Sequence, residues 1–147
     1  MEPKKILTVI PMTQTQKDRL KQLLPNAECL YTTIFEVTRE QVQQAQIILG
    51  NVPADMIQAS ENLDWLHLNS AGYEPYVQKG VLRPHTILTN SSGAYDKAVA
   101  EHMFAMLLSL QKKLHLYRDN QKQHLWKDEG SVTSITDATI LILGAGN

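Results

Sequence analysis

The stretch Leu63-Asp64-Trp65-Leu66-His67-Leu68-Asn69-Ser70-Ala71-Gly72-Tyr73-Glu74 decides how this chain is read. Residues 65–68 form a short, mostly apolar run of strand length that stops at a group of small and polar residues. Small residues let consecutive backbone N–H groups converge, and at the carboxyl end of a strand such a concavity favours a carboxylate or a phosphate. A plain Ser-Ala-Gly turn has the same composition, so the loop residues by themselves leave both readings open.

The flanking sequence repeats the strand-then-helix pattern. Residues 6–10 read as a buried strand ended by Pro11-Met12-Thr13, and residues 16–24 place Leu20, Leu23 and Leu24 at helical spacing before Pro25-Asn26. Residues 27–32 read as a second strand. Thr38, with Gln41 three residues on, predicts a capping box for a helix to about Gln44. Residues 46–50 are a third strand, and Pro53 fits the first turn of a helix through Ser60. After the opening stretch, residues 73–79 allow one or two helical turns before Gly80, and residues 85–89 form a fifth strand. Strands separated by helical segments predict an α/β fold, a parallel doubly wound sheet with helices on both faces.

Composition sets the outer bounds. The 147 residues are 43% hydrophobic and 20% charged, enough for a domain with a real core. Fourteen basic against fifteen acidic side chains leave a net charge of −1 and no basic excess to hold a phosphate backbone, so no nucleic-acid partner is expected. Cys29 has no second cysteine to pair with and suits a reducing compartment. The apolar run after Lys4-Lys5 is too short for a signal-peptide core, and nothing approaches the roughly 20 apolar residues of a membrane span. The expectation is a cytoplasmic protein with no membrane partner.

Several chemistries are disfavoured. His67, His85, His102, His115 and His124 are scattered without metal-ligand spacing, and no metal is expected. His102 beside Glu101 reads as a buried, hydrogen-bonded pair. No nucleophile elbow is present. A phosphoacceptor domain would need acidic residues after the first and third strands, where Pro11-Met12 and Gly50-Asn51 stand. A flavin phosphate loop would need glycine near Thr13-Gln14-Thr15, which has none.

The second half differs in character. Residues 94–118 contain no glycine or proline. Val99, Met103, Met106, Leu110, Leu114 and Tyr117 make one apolar stripe, and Phe104, Leu107 and Leu108 a second. This predicts one long helix, one face packed on the sheet and the other on a partner, the alternative being a helix buried wholly inside its own domain. The hydroxyls of Thr89-Asn90-Ser91-Ser92-Gly93 before it read as N-caps, at a helix start that could also hold an anion. Residues 119–129 are polar apart from Leu125 and Trp126. Residues 136–143 then read as a strand running into Gly144-Ala145-Gly146-Asn147, which is how a dinucleotide-binding βαβ unit opens. A third glycine would fall two residues beyond Asn147, so a truncated unit is expected, although a turn after any strand could supply two glycines.

The run 63–72, then Leu88-Thr89-Asn90-Ser91-Ser92-Gly93, then Ala98-Val99-Ala100-Glu101-His102 resembles the D-isomer-specific 2-hydroxyacid dehydrogenases, phosphoglycerate dehydrogenase-like enzymes among them. Trp126 and the glycine-ended strand follow in the same order. The resemblance covers essentially all of this chain and about the first half of a family member. It implies a flavodoxin-like substrate-binding domain over residues 1–93, a long linker and dimerisation helix over 94–118, an arm over 119–135, and the truncated first strand of a Rossmann domain over 136–147. It implies that the N–H groups of Ala71 and Gly72, beside Ser70, hold the carboxylate of a small 2-hydroxy or 2-oxo acid. Ser91 and Tyr95 would face the cofactor, and Gly144 and Gly146 would begin its pyrophosphate site. The cofactor would be NAD or NADP in the complete enzyme, with none bound by this chain alone, and a homodimer would form through residues 94–126. The family's substrate-fixing arginine, acid–base histidine and its glutamate lie beyond the end of this sequence, so no catalytic residue is assigned here. An alternative is a stand-alone dimerising or small-anion-binding flavodoxin-like module.

Overall fold

A computed structural model describes residues 3–58 and 60–144, and the chain divides into two units, Met1–Ser92 and Gly93–Asn147. In the first unit, β1 (Lys5–Thr8), β2 (Glu28–Tyr31), β3 (Ile47–Leu49), β4 (Trp65–His67) and β5 (Ile87–Thr89) form one sheet in the order β2-β1-β3-β4-β5. Every pairing is parallel, with Leu7 opposite both Leu30 and Ile48, Ile48 opposite Leu66, and Leu66 opposite Leu88. The strand order reverses between β1 and β3, the mark of a flavodoxin-like doubly wound sheet.

Alternation along the strands puts Leu7, Ile48 and Leu66 on one face, all fully buried. Val42 from α2 (Arg39–Gln44), Ile57 from α3 (Ala54–Ile57), Leu63, Leu68 and Tyr76 close over that face. The capping box at Thr38 and Gln41 forms as expected. A second one, Thr13 with Gln16, starts α1 (Gln14–Leu23) two residues ahead of the apolar spacing. α3 is shorter than expected: Pro53 is its N-cap and the chain turns extended at Gln58. Residues 73–79 make turns rather than helix. They are pinned where the buried Tyr76 hydroxyl donates to the Val52 carbonyl at 2.9 Å, and burial raises the Tyr76 pKa. Gly50 is required by its surroundings, since its φ is +115° and a Cβ there would lie 2.5 Å from Val9 Cγ2.

The second unit departs further from the sequence reading. The single helix expected over 94–118 is two, α4 (Asp96–Gln111) and α5 (Leu114–Lys122), separated at Lys113, whose φ is +56°. A left-handed lysine costs roughly 1 kcal/mol or more. Here the α4 end is closed by Lys112 N–H on Leu108 O and Lys113 N–H on Leu110 O. The turn also lets Lys112 Nζ donate to Thr133 O at 2.8 Å and Lys113 Nζ donate to Glu129 O, tying the arm to the break. Neither helix buries a side chain. Glu101 and His102 are exposed rather than a buried pair, and Glu101 lies 3.8 Å from Lys97 instead.

The strand expected over 136–143 does not form. Leu141 and Leu143 are 82% and 88% exposed, and the segment is not among the five strands of the sheet. An isolated apolar run has no ladder for its N–H and C=O groups, so strand propensity alone cannot hold it extended and paired.

Two expected outcomes follow from this packing. Leu66→Ala should lower unfolding free energy by about 2–5 kcal/mol in denaturant titration, whereas Leu23→Ala, on the exposed side of α1, should change it by under about 0.5 kcal/mol. In the second unit, hydrogen bonds from Asn120 and Lys127 hold the Glu129 carboxyl below the usual carboxylate range. Its contribution to the arm is therefore present above the ordinary glutamate pKa and lost as pH falls through the lower folded-state value. Carboxyl NMR should place the Glu129 midpoint below that of a solvated glutamate, and Glu129→Gln should remove the acid-dependent loosening of residues 127–133.

Candidate functional site

All five strands run the same way, so the loops after β3, β4 and β5 open on one edge of the sheet, and there the structure joins them by side-chain hydrogen bonds. Asn51, just past β3, and Asn69, just past β4, clasp each other. The Asn51 N–H donates to Asn69 Oδ1 at 3.2 Å, and the Asn69 N–H donates to Asn51 Oδ1 at 3.0 Å. Asn51 Nδ2 also donates to Ser70 Oγ at 2.8 Å, and the Ser70 hydroxyl donates on to Gly72 O at 3.0 Å.

The loop after β5 grips the same segment from the other side. The Ser91 N–H donates to Ser70 O at 3.1 Å, Asn90 Nδ2 to Ala71 O at 2.7 Å, and the Ser91 hydroxyl to Leu68 O at 2.9 Å. The carbonyls of Leu68, Ser70, Ala71 and Gly72 are thus all engaged. The N–H groups of Ala71 and Gly72 donate to no acceptor among the described residues. A loop with its acceptors occupied and its donors open is polarised to receive an anion. Next to it the Tyr73 N–H donates to Glu74 Oε2 at 3.0 Å, an exposed carboxylate that would lie 3.3 Å from a Cβ at Gly72. An open depression of about 280 Å³, lined by Tyr73, Val77, Leu88, Thr89 and Asn90, adjoins the loop.

The sequence-derived candidates divide between the two units. Ser70, Ala71, Gly72 and Ser91 come together at this edge. Tyr95 lies in the second unit as the N-cap residue of α4, half exposed and making no side-chain cap bond. The serines before α4 are not its caps, since Tyr95 is the N-cap residue and no side chain caps the helix, and the Ser91 hydroxyl is turned to Leu68 O. Gly144 has φ +86° with open space around it, and Gly146 lies outside the described residues. Among the described residues no strand leads directly into Gly144. Asn51 and Asn90 were passed over in the sequence. Asn51 followed an apolar strand directly, as Asn69 and Asn90 do, and that threefold recurrence was the available signal.

Among the described residues no helix is long and apolar enough to cross a membrane. No protein-family model matches the chain. Solved structures do. A D-isomer-specific 2-hydroxyacid dehydrogenase family protein from Aeromonas salmonicida subsp. salmonicida A449 superposes with a TM-score of 0.69 at 25% identity, over 90% of this chain and 43% of that one. D-lactate dehydrogenase from Aquifex aeolicus, determined with NAD and lactic acid, superposes with a TM-score of 0.69 at 20% identity, over 88% of this chain and 40% of that one. The fold of this chain is therefore one found in D-isomer-specific 2-hydroxyacid dehydrogenases, of which it spans about two fifths of the length.

Proposed function

We propose that this chain is the substrate-binding part of an NAD(P)-dependent D-2-hydroxyacid dehydrogenase, and that a small 2-hydroxy or 2-oxo acid docks its carboxylate on the N–H groups of Ala71 and Gly72. The observation that carries this reading is the asymmetry of the loop: four carbonyls tied down by Asn90, Ser70 and Ser91, with the Ser70 hydroxyl itself held by Asn51, and the two donors left open. Hydrogen bonds to a charged acceptor contribute about 1.5–3 kcal/mol each, and a loop already held in place pays little ordering entropy on binding. The likeness to D-2-hydroxyacid dehydrogenase structures supplies the substrate class.

In that reading Ser91 and Tyr95 face the nicotinamide cofactor, and Gly144 with Gly146 begin its pyrophosphate site. The work of this chain's own residues is to bind and orient the acid. Neither the arginine nor the acid–base histidine and its glutamate implied by the resemblance matches a residue here, so proton transfer at the substrate oxygen is assigned to no group of this chain. The stand-alone module reading would be favoured by strong hydrogen-exchange protection of residues 136–147 in a demonstrated monomer.

Oxamate, a 2-oxo-acid isostere, should shift the amide resonances of Ala71 and Gly72 saturably, while neutral oxamide should not. Asn51→Ala should weaken the effect about tenfold, or 1.4 kcal/mol. Equal responses to both ligands, or none at these amides, would overturn the assignment. The 147-residue chain by itself should not oxidise NADH with pyruvate, hydroxypyruvate or glyoxylate above background.

We extend the proposal to a homodimer through residues 94–126. Val99, Met103, Met106 and Leu110 are each more than half exposed along α4, and burying such side chains is worth about 1.5–3 kcal/mol apiece. Sedimentation equilibrium should show dimers that Met103→Lys with Met106→Lys dissociates. A monomer at every concentration would remove the argument.

A further inference from the structure

We propose that His67 is a positioning residue, neutral and protonated on Nε2, that locks the Ser91 loop against the Ser70–Gly72 loop. The inference rests on the carboxylate-site reading for its purpose but not for its test. His67 lies on β4, opposite Thr89 on β5, on the sheet face that also carries Trp65. Trp65 Nε1–H, which can only donate, points at Thr89 Oγ1 at 2.8 Å. The same oxygen lies 2.9 Å from His67 Nδ1. With the indole donating, the Thr89 proton has Nδ1 as its acceptor, and the ring proton is left on Nε2. That nitrogen faces Ser91 Oγ at 3.5 Å, a long contact, and the Ser91 hydroxyl spends its own proton on Leu68 O.

The donors therefore run in one direction, from Trp65 through Thr89, His67 and Ser91 to the carbonyl just before Asn69. The opposite tautomer would aim two N–H groups at Thr89 Oγ1 and strip the Thr89 proton of its acceptor. It would also present a lone pair to Ser91, whose proton is already committed. The Trp65 and His67 rings are tilted neighbours with centroids 6.1 Å apart. Ser91 in turn holds Ser70 through its backbone N–H, so the histidine acts on the Ala71–Gly72 donors through Ser91.

Long-range proton–nitrogen NMR on the 147-residue chain near neutral pH tests this without ligand. The expected result is a neutral His67 with Nδ1 unprotonated, retained in Thr89→Ser. In Thr89→Val the tautomer should become mixed, and the Ser91, Ser70 and Ala71 amides should shift. A His67 protonated on Nδ1 in the unaltered chain would overturn the proposal, as would a Thr89→Val chain that keeps both tautomer and amide positions. If Thr89→Val does not fold, the unaltered chain and Thr89→Ser still decide. Failure of oxamate to bind with the tautomer as stated would count against the carboxylate reading alone.

Discussion

The constraint on which the rest depends is the common direction of the five strands. A parallel sheet sends every strand's carboxyl end to one edge, so segments as far apart in sequence as Asn51, Asn69 and Asn90 meet without any one of them being near another along the chain. Each lies immediately or almost immediately past a strand, where the backbone leaves the ladder and its polar groups need new partners. Asparagine answers that need because its amide both donates and accepts, which is what lets Asn51 and Asn69 satisfy each other's backbone N–H while Asn51 still reaches Ser70.

The two faces of the sheet serve different ends. One carries Leu7, Ile48 and Leu66 into the core and supplies the hydrophobic stabilisation that holds the strands in register. The other carries Ile6 and Thr8, both buried, on β1, and Trp65, His67, Ile87 and Thr89 in adjacent rows at its β4–β5 end. The candidate site lies past the carboxyl ends of β3, β4 and β5, where the His67 and Thr89 row meets the open edge.

Much of the first unit could be read from the sequence because its signals are local. Apolar runs marked all five strands, and Thr38 with Gln41 marked a helix start that the structure reproduces. What could not be read was set by partners distant in sequence. Lys113 is an ordinary helix former, and its left-handed backbone occurs beside bonds from Lys113 and Lys112 to the Glu129 and Thr133 carbonyls, partners far along the chain. Residues 138–143 have strand propensity but no neighbouring strand to express it. Of the candidate site, the small residues of 69–72 marked a loop that could equally be a plain turn, and the partners that hold it come from the loops after β3 and β5. Asn51 was not legible, because its role exists only once β3 and β4 lie side by side.

The central claim is that the segments joined by Asn51, Asn69, Asn90 and Ser91 form one cooperative piece that holds the Ala71 and Gly72 donors in place. Native-state hydrogen exchange measures this most directly, since each junction has its own amide reporter. The Asn51, Asn69 and Ser91 amides should share a single opening free energy close to that of Leu68, whose N–H lies in the β4–β5 ladder. If Ser91 and Asn69 exchange at nearly the rate of an unstructured peptide while Leu68 stays protected, the loops are independent and the account fails.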